Sequence, residues 1–119
     1  MSLFGVPKPV TVSVDVPRRR HDVYDFLLGA ISEEAELEVV EVREDRLITE
    51  RKISEKGKRV GFGTYELTDL PGKRTCIAFT TTLKQAPAVK RAFGPLVRAA
   101  IRHGSQKEIH RLAKQLRAT

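Results

Sequence analysis

The histidines of this 119-residue chain are candidate metal ligands, but their spacing argues against a metal site. The imidazoles are His21, His103 and His110, and none is paired at the i, i+4 spacing that places two ligands on one helical face. His103 and His110 lie seven residues apart, about 10 Å along a helix, among bases that disfavour a bound cation. The sequence therefore predicts solvated histidines, no metal and no cofactor.

Tyr65 and Glu66 are the best candidates for acid–base chemistry. A cyclase-like reaction needs a proton acceptor beside an enolisable carbonyl. Alternation along a strand turns Glu66 away from the apolar face, and a tyrosine hydroxyl more often caps a core than performs catalysis. We assign no catalytic residue. The sequence favours a protein that is not an enzyme, but it leaves open whether the protein catalyses a cyclase- or dehydratase-like reaction.

Cys76, Gly61 and Gly63 have structural explanations. The lone Cys76 cannot form an internal disulfide and falls in an apolar strand, so a packed thiol is favoured over a nucleophile. Gly61 and Gly63 resemble half of a phosphate-binding loop. Because they lie within a strand pattern, a bulge or close helix packing is the preferred explanation.

A β-hairpin predicted over residues 61–83 would position such residues. A three-residue loop at 71–73, with Gly72 at positive φ, sets Tyr65 opposite Phe79, whereas a two-residue loop would scatter the apolar residues over both faces. The preferred register gives one apolar face, which a helix must cover. That face carries Gly63, Tyr65, Leu67, Ile77, Phe79, Thr81 and Leu83.

Hydrophobic periodicity predicts one α+β domain over residues 1–119, with the order strand, helix, four-strand meander, helix. The predicted strands are 10–16, 37–43, 47–54, 59–70 and 73–84, and the first helix is 18–30. The final helix begins at Pro95 and runs to the C-terminus. Its packed stripe comprises Val97, Ala100, Ile101, Ile109, Leu112 and Leu116. Its outward basic surface comprises Arg98, Arg102, Lys107, Arg111 and Lys114.

The net charge of +7 is concentrated at the C-terminal end of the chain. Residues 84–119 contain nine Lys and Arg but only one acid, Glu108. Such a surface would suit nucleic acid phosphates or an acidic protein partner. Aromatic residues are only 6% of the chain, and Phe62 and Tyr65 fall on opposite faces, so single strands have little to stack on. A solvated basic helix is favoured over a nucleic-acid site.

Composition favours an ordinary globular domain, with 40% hydrophobic and 31% charged residues. No segment approaches the roughly 18 apolar residues that would span a bilayer. The first residues lack a basic region followed by an apolar core, so a secretory signal is not expected. We therefore expect a cytoplasmic protein without membrane insertion.

Four segments resemble the START/SRPBCC superfamily, in particular its polyketide cyclase/dehydrase and lipid-transport-like members. The resemblance covers most of the chain, but its motifs are loose patterns that identify a fold better than an activity. The segments are VTVSVDVPRRRHDVYDFL (10–27), GTYELTDLPGKRT (63–75), FGPLVRAAI (93–101) and RLAKQL (111–116).

The resemblance implies a helix-grip fold, in which a curved antiparallel sheet of about five strands wraps on the long C-terminal helix. It also implies binding of a small hydrophobic, lipid- or polyketide-like ligand between sheet and helix, which needs a cavity of at least about 300 Å³. The alternative is a filled core on a basic-surface module that binds nucleic acid or an acidic protein. The candidate pocket walls are Phe26, Tyr65, Leu67, Ile77, Phe79, Phe93, Val97 and Ile101.

The chain departs from the family pattern after the first helix. Family members commonly have a second short helix and a further hairpin there, and only residues 31–36 fill that gap. The cavity is expected to be small or missing, and the first strand is expected to have an open edge. Because proteins usually cover or pair such edges, a homodimer across it is a reasonable hypothesis.

Overall fold

The computed structural model describes residues 9–53, 59–83 and 94–118, with the side chains of 53, 59, 60, 83 and 94–98 left undescribed. Within these residues, five strands form one antiparallel sheet in the order β1-β5-β4-β3-β2, and two helices lie on its inner face. The predicted α+β helix-grip architecture is confirmed. The elements are β1 (Val10–Val16), α1 (Arg20–Ser32), β2 (Leu37–Arg43), β3 (Leu47–Ile53), β4 (Arg59–Leu70), β5 (Arg74–Leu83) and α2 (Gly94–Ala118).

The β4–β5 hairpin has the register that the sequence predicts. Leu67 pairs with Ile77 and Tyr65 pairs with Phe79, across a three-residue turn in which Gly72 has a φ of 79°. The rings of Tyr65 and Phe79 stack with their centroids 4.4 Å apart. This stacked pair lies at the centre of the inner face, because β4 and β5 are the inner strands between β1 and β3.

The two helices divide the inner face between them. Helix α1 lies mainly over β2, β3 and β4, while α2 lies mainly over β1 and β5. Both contribute apolar side chains to one core, and α1 begins two residues later than predicted, after the extended Arg19. The helical residues buried in this core are Val23, Tyr24, Leu27, Ile31, Ile109, Leu112, Ala113 and Leu116.

The predicted stripe of α2 is correct in its C-terminal half and wrong at Ala100. Ile109, Leu112 and Leu116 are buried, whereas Ala100 is exposed and Ile101 is only half-buried. The stripe is therefore buried along the C-terminal turns of α2 and becomes exposed toward Ala100. Buried Ser105 and Ala113 take positions that the apolar pattern did not mark.

The C-terminal end of α2 is tied to the junction of β1 and α1. The Arg18 Nε donates to the Leu116 carbonyl at 3.0 Å, and Arg117 donates to the Asp15 carbonyl at 3.1 Å. The buried Thr75 hydroxyl donates to the Arg18 carbonyl at 2.7 Å. These bonds fix the sheet end that carries the 71–73 turn, which we call the hairpin end.

Both sheet edges belong to short strands. Among the described strands, β1 pairs with β5 alone and is therefore an edge strand. The homodimer hypothesis requires such an edge, and the dimer remains a prediction. Neither of the described helices is long and apolar enough to cross a membrane.

Replacing Thr75 by Val is expected to destabilise the protein by about 1–3 kcal/mol, because the Arg18 carbonyl loses the donor that the buried Thr75 hydroxyl supplies. Thr80→Val is the matched control, since Thr80 bonds Thr11 on the exposed outer face and its replacement should change stability by less than about 0.5 kcal/mol. Urea denaturation of both variants measures the difference. Equal losses would contradict a special role for the Thr75 hydroxyl.

Candidate functional site

Half of the eight predicted pocket walls lie together on the inner face of the sheet. Tyr65, Leu67, Ile77 and Phe79 are buried in the core cluster, and the half-buried Phe26 packs against them. Ile101 is half-buried on α2, Phe93 lies outside the described residues, and the side chain of Val97 is not described.

One row of residues crosses the inner face on the side of Tyr65 and Phe79 that lies away from the hairpin end. We call it the distal row. Unlike the neighbouring row through Ile48, Tyr65 and Phe79, it combines a glycine, a hydroxyl and a carboxyl group. Its members, in sheet order, are Val10, Thr81, Gly63, Glu50 and Val39.

Glu50 is the unusual member of the distal row, because its side chain is charged and only 7% exposed. Its Oε2 atom has no hydrogen-bond partner in the described part of the chain. Burial raises the pKa of Glu50 to about 7, helped by the negative charges of Glu108 and Glu34 and opposed by Lys52. Glu50 is therefore a buried carboxyl that exchanges its proton near neutral pH.

Gly63 provides the space into which Glu50 and Phe79 reach. A Cβ atom at position 63 would lie 2.6 Å from Phe79 Cε1 and 2.9 Å from Glu50 Oε1. The predicted explanations, a bulge or close helix packing, are wrong at this position. The glycine instead leaves room for the Glu50 side chain of β3 and the Phe79 side chain of β5. The register shift between β3 and β4 lies elsewhere, between Lys52 and Ile53.

Tyr65 adds a phenol to the same region. Burial raises its pKa, and the charges of Glu50 and Glu108 raise it further while Arg111 opposes them. Tyr65 therefore stays protonated at physiological pH and keeps its capacity to donate a hydrogen bond. The electrostatic interaction with Glu50 places the two groups in one environment.

Helix α2 closes this region with small and polar side chains. The buried Ser105 hydroxyl is 3.0 Å from the Thr81 hydroxyl, and the Arg111 Nε donates to Glu108 Oε2 at 3.2 Å. We call the ensemble of Glu50, Gly63, Tyr65, Phe79, Thr81 and Ser105 the Glu50 site. It brings hydrogen-bonding groups beside two stacked aromatic rings. No cluster of potential metal ligands occurs among the described residues.

The hairpin end carries a solvent-open depression of about 400 Å³, which lies apart from the Glu50 site. Arg20 pairs with Asp69 at 3.6 Å, and His21 is 2.8 Å from Asp45 and 3.3 Å from Asp25. Asp45 and Asp25 raise the pKa of His21, and the hydrogen bond with Asp45 has the largest effect. Exposed ion pairs of this kind describe a solvated surface better than a binding site. Its lining residues are Arg19, Arg20, His21, Asp45, Asp69, Leu70, Lys73 and Arg74.

The other candidates from the sequence lie outside the Glu50 site. Glu66 is exposed on the outer face, as predicted, and Cys76 is a half-buried thiol whose pKa burial and Asp15 raise. The described basic side chains Arg102, Lys107, Arg111 and Lys114 are exposed, and that of Arg98 is not described.

Sequence reasoning missed Glu50, although a signal for it was present. In the strand LITERKI, Glu50 is in phase with the apolar Ile48, and alternation places both on one face. The opposing residue is Gly63, which leaves room for a larger side chain. A carboxylate in phase with a buried residue and opposite a glycine was therefore visible.

No protein-family model and no curated protein matches the chain, but solved structures match its fold. Protein MLL2253 from Mesorhizobium loti aligns over 94% of this chain and 98% of its own, with 15% identity and a TM-score of 0.68. For protein Ms6760 from Mycobacterium smegmatis the coverages are 94% and 92%, with 11% identity and a TM-score of 0.63. The Zhui aromatase/cyclase from Streptomyces sp. R1128 aligns over 92% of this chain and 93% of its own, with 10% identity and a TM-score of 0.55. At such identities the likeness establishes the fold.

Gly63→Ala is expected to destabilise the protein by about 1–3 kcal/mol, because the new methyl group must displace the Phe79 ring and the Glu50 carboxylate. Gly29→Ala is the control, since nothing lies within 4 Å of its Cβ position in α1, and it should be neutral or stabilise by up to about 1 kcal/mol. Denaturant titration tests both. A harmless Gly63→Ala would show that the carboxylate does not lie over the glycine.

The free energy of unfolding is expected to fall as the pH rises from about 4.5 to about 7, because folded Glu50 keeps a proton that the unfolded chain has already released. The full effect is on the order of 3 kcal/mol. Glu50→Gln should remove this component. His21 also has a raised pKa and contributes in the same direction near neutral pH, so the difference between the wild type and Glu50→Gln isolates Glu50. Parallel pH profiles would contradict the assignment.

Proposed function

We propose that this chain is a shortened member of the START/SRPBCC superfamily that binds a small hydrophobic molecule between the sheet and α2. The observation that carries the proposal is the Glu50 site. A buried carboxyl oxygen without a partner costs stability, and a core that served packing alone would gain from an apolar residue there. Retention of such a group beside the stacked rings of Tyr65 and Phe79 is typical of a binding site.

The ligand class follows from the walls and the fold. Flat aromatic rings on the sheet favour a ligand with planar apolar parts, and one solved structure of the same fold is an aromatase/cyclase. We therefore propose a polyketide-like ligand in preference to a lipid. A cyclase/dehydrase-like reaction is the finer form of this proposal, and Glu50 is the group of the site that could exchange a proton near neutral pH.

A basic-surface binding module is the second candidate. Arg102, Lys107 and Lys114 are exposed on α2, where they could contact nucleic acid or an acidic protein. Arg111 is less available to such a partner because it is paired with Glu108. This function needs no cavity, and its binding should weaken steeply as salt rises.

Titration with Nile red, an uncharged apolar dye, tests the ligand-binding proposal. Wild-type protein should bind it saturably at one site, and Ile101→Trp should weaken binding by about tenfold or more, because the half-buried Ile101 is a predicted wall. Arg102→Trp, one residue further on the exposed side of the same helix, is the control and should change binding by less than about twofold.

Native mass spectrometry of gently purified protein complements the dye. A stoichiometric apolar ligand would support the proposal and identify the chemistry. Absence of saturable dye binding, together with salt-sensitive retention of nucleic acid, would overturn it in favour of the basic-surface module.

A further inference from the structure

Building on the proposed function, we infer that Glu50 is the specificity-determining residue and that it recognises a hydroxyl group on an uncharged aromatic ligand. The site would then prefer a phenol over a molecule of the same size that lacks the donor. It would also reject the corresponding carboxylate. This selects neutral phenolic molecules over fatty acids.

The first argument is the unsatisfied acceptor. Glu50 is only 7% exposed, and its Oε2 has no partner among the described residues. Buried polar atoms in native proteins nearly always find partners, so an exception calls for a functional explanation. An ionised carboxylate is purely an acceptor, and the group that matches it is a hydroxyl or amine hydrogen supplied by a ligand.

The second argument is the aromatic neighbourhood of that acceptor. Glu50 Oε1 and the Phe79 ring both lie over Gly63, and Phe79 stacks on Tyr65 with an angle of 22° between the ring planes. A planar ligand could extend this stack while its edge reaches the carboxylate. A hydroxyl carried directly on an aromatic ring satisfies both contacts.

The third argument is the charge around Glu50, which comes from α2, from the residues after α1 and from its own strand. Glu108 on α2 and Glu34 after α1 are negative, and Lys52 on the same strand is positive. Arg111 of α2 is engaged by Glu108, and Tyr65 on β4 is uncharged. A ligand carboxylate or phosphate would meet three acidic side chains, so an anion is disfavoured and a neutral donor is favoured.

These charges also predict how affinity depends on pH. Glu50 changes its ionisation near neutral pH, and a ligand hydroxyl donates best to the ionised form. Phenol binding should therefore lower the pKa of Glu50 and release protons, and it should strengthen by about one order of magnitude as the pH rises from 5.5 to 8. A ligand without a donor should bind no better at the higher pH.

Three probes of similar size test the inference on the full chain: 2-naphthol, 2-methoxynaphthalene and 2-naphthoate. At pH 8 the wild type should bind 2-naphthol roughly tenfold to a hundredfold more tightly than 2-methoxynaphthalene, and 2-naphthoate most weakly. Glu50→Leu should abolish the preference for 2-naphthol. Glu50→Gln keeps an acceptor oxygen, so it should retain part of the preference and lose the pH dependence.

Glu66→Leu is the matched control, because Glu66 is an exposed carboxylate on the outer face and should leave the preference unchanged. Melting temperatures verify folding, and Glu50→Leu should be at least as stable as the wild type because an unpartnered buried carboxyl is removed. A second readout avoids mutation altogether. The carbon-13 carboxyl resonance of Glu50 should titrate near pH 7 in free protein and at lower pH with 2-naphthol.

The outcomes separate this inference from the proposed function. Equal affinities for 2-naphthol and 2-methoxynaphthalene would overturn recognition by Glu50, as would a Glu50 resonance whose titration does not change when 2-naphthol is added. Either result would leave the proposal of an apolar pocket standing. Failure of all probes and of Nile red would overturn both. Tightest binding of 2-naphthoate would overturn the selection against anions and point to a fatty-acid site.

Discussion

The structure depends on the register of the β4–β5 hairpin, which the turn at residues 71–73 sets. Gly72 adopts a positive φ there, and the two strands then pair without slippage from Leu70 opposite Arg74 to Gly61 opposite Leu83. A shift of one residue would turn every side chain of one strand to the opposite face. With the register fixed, Tyr65 stacks on Phe79 and Gly63 lies beside them, which is the arrangement that both the core and the Glu50 site require.

From that hairpin outward, the inner face has two kinds of packing. Toward the hairpin end, α1 and the C-terminal half of α2 cover the sheet with apolar side chains, and the guanidinium groups of Arg18 and Arg117 donate hydrogen bonds to backbone carbonyls that fasten α2 in place. In the distal row, the hydroxyl of Thr81, Gly63 and the carboxyl group of Glu50 lie between the apolar Val10 and Val39. One end of the sheet is therefore apolar and held by hydrogen bonds, whereas the other end is more polar and is where we propose recognition, a division common where a rigid scaffold positions a site.

The Glu50 site also shows a conflict between stability and function. Burial of the carboxyl without a partner for Oε2 opposes folding at neutral pH, and Gly63 gives up side-chain packing to make room for it. Neither feature improves the core. Both become reasonable if a ligand supplies the missing donor, because sites of recognition are commonly stabilised only when they are occupied.

The sequence by itself determined the order of the elements, the boundaries of β1 and β2, and the pairing of Tyr65 with Phe79, because alternation and turn geometry are local properties of the chain. Only the tertiary structure decided that Ala100 is exposed while Ser105 packs on Thr81, since both outcomes depend on the contacts of α2 with the distant strands β1 and β5. The burial of Glu50 was likewise a tertiary outcome. Strand phase could place the carboxyl on the inner face, but its loss of solvent and its raised pKa arise from β4, β5 and α2 together, which no local pattern encodes.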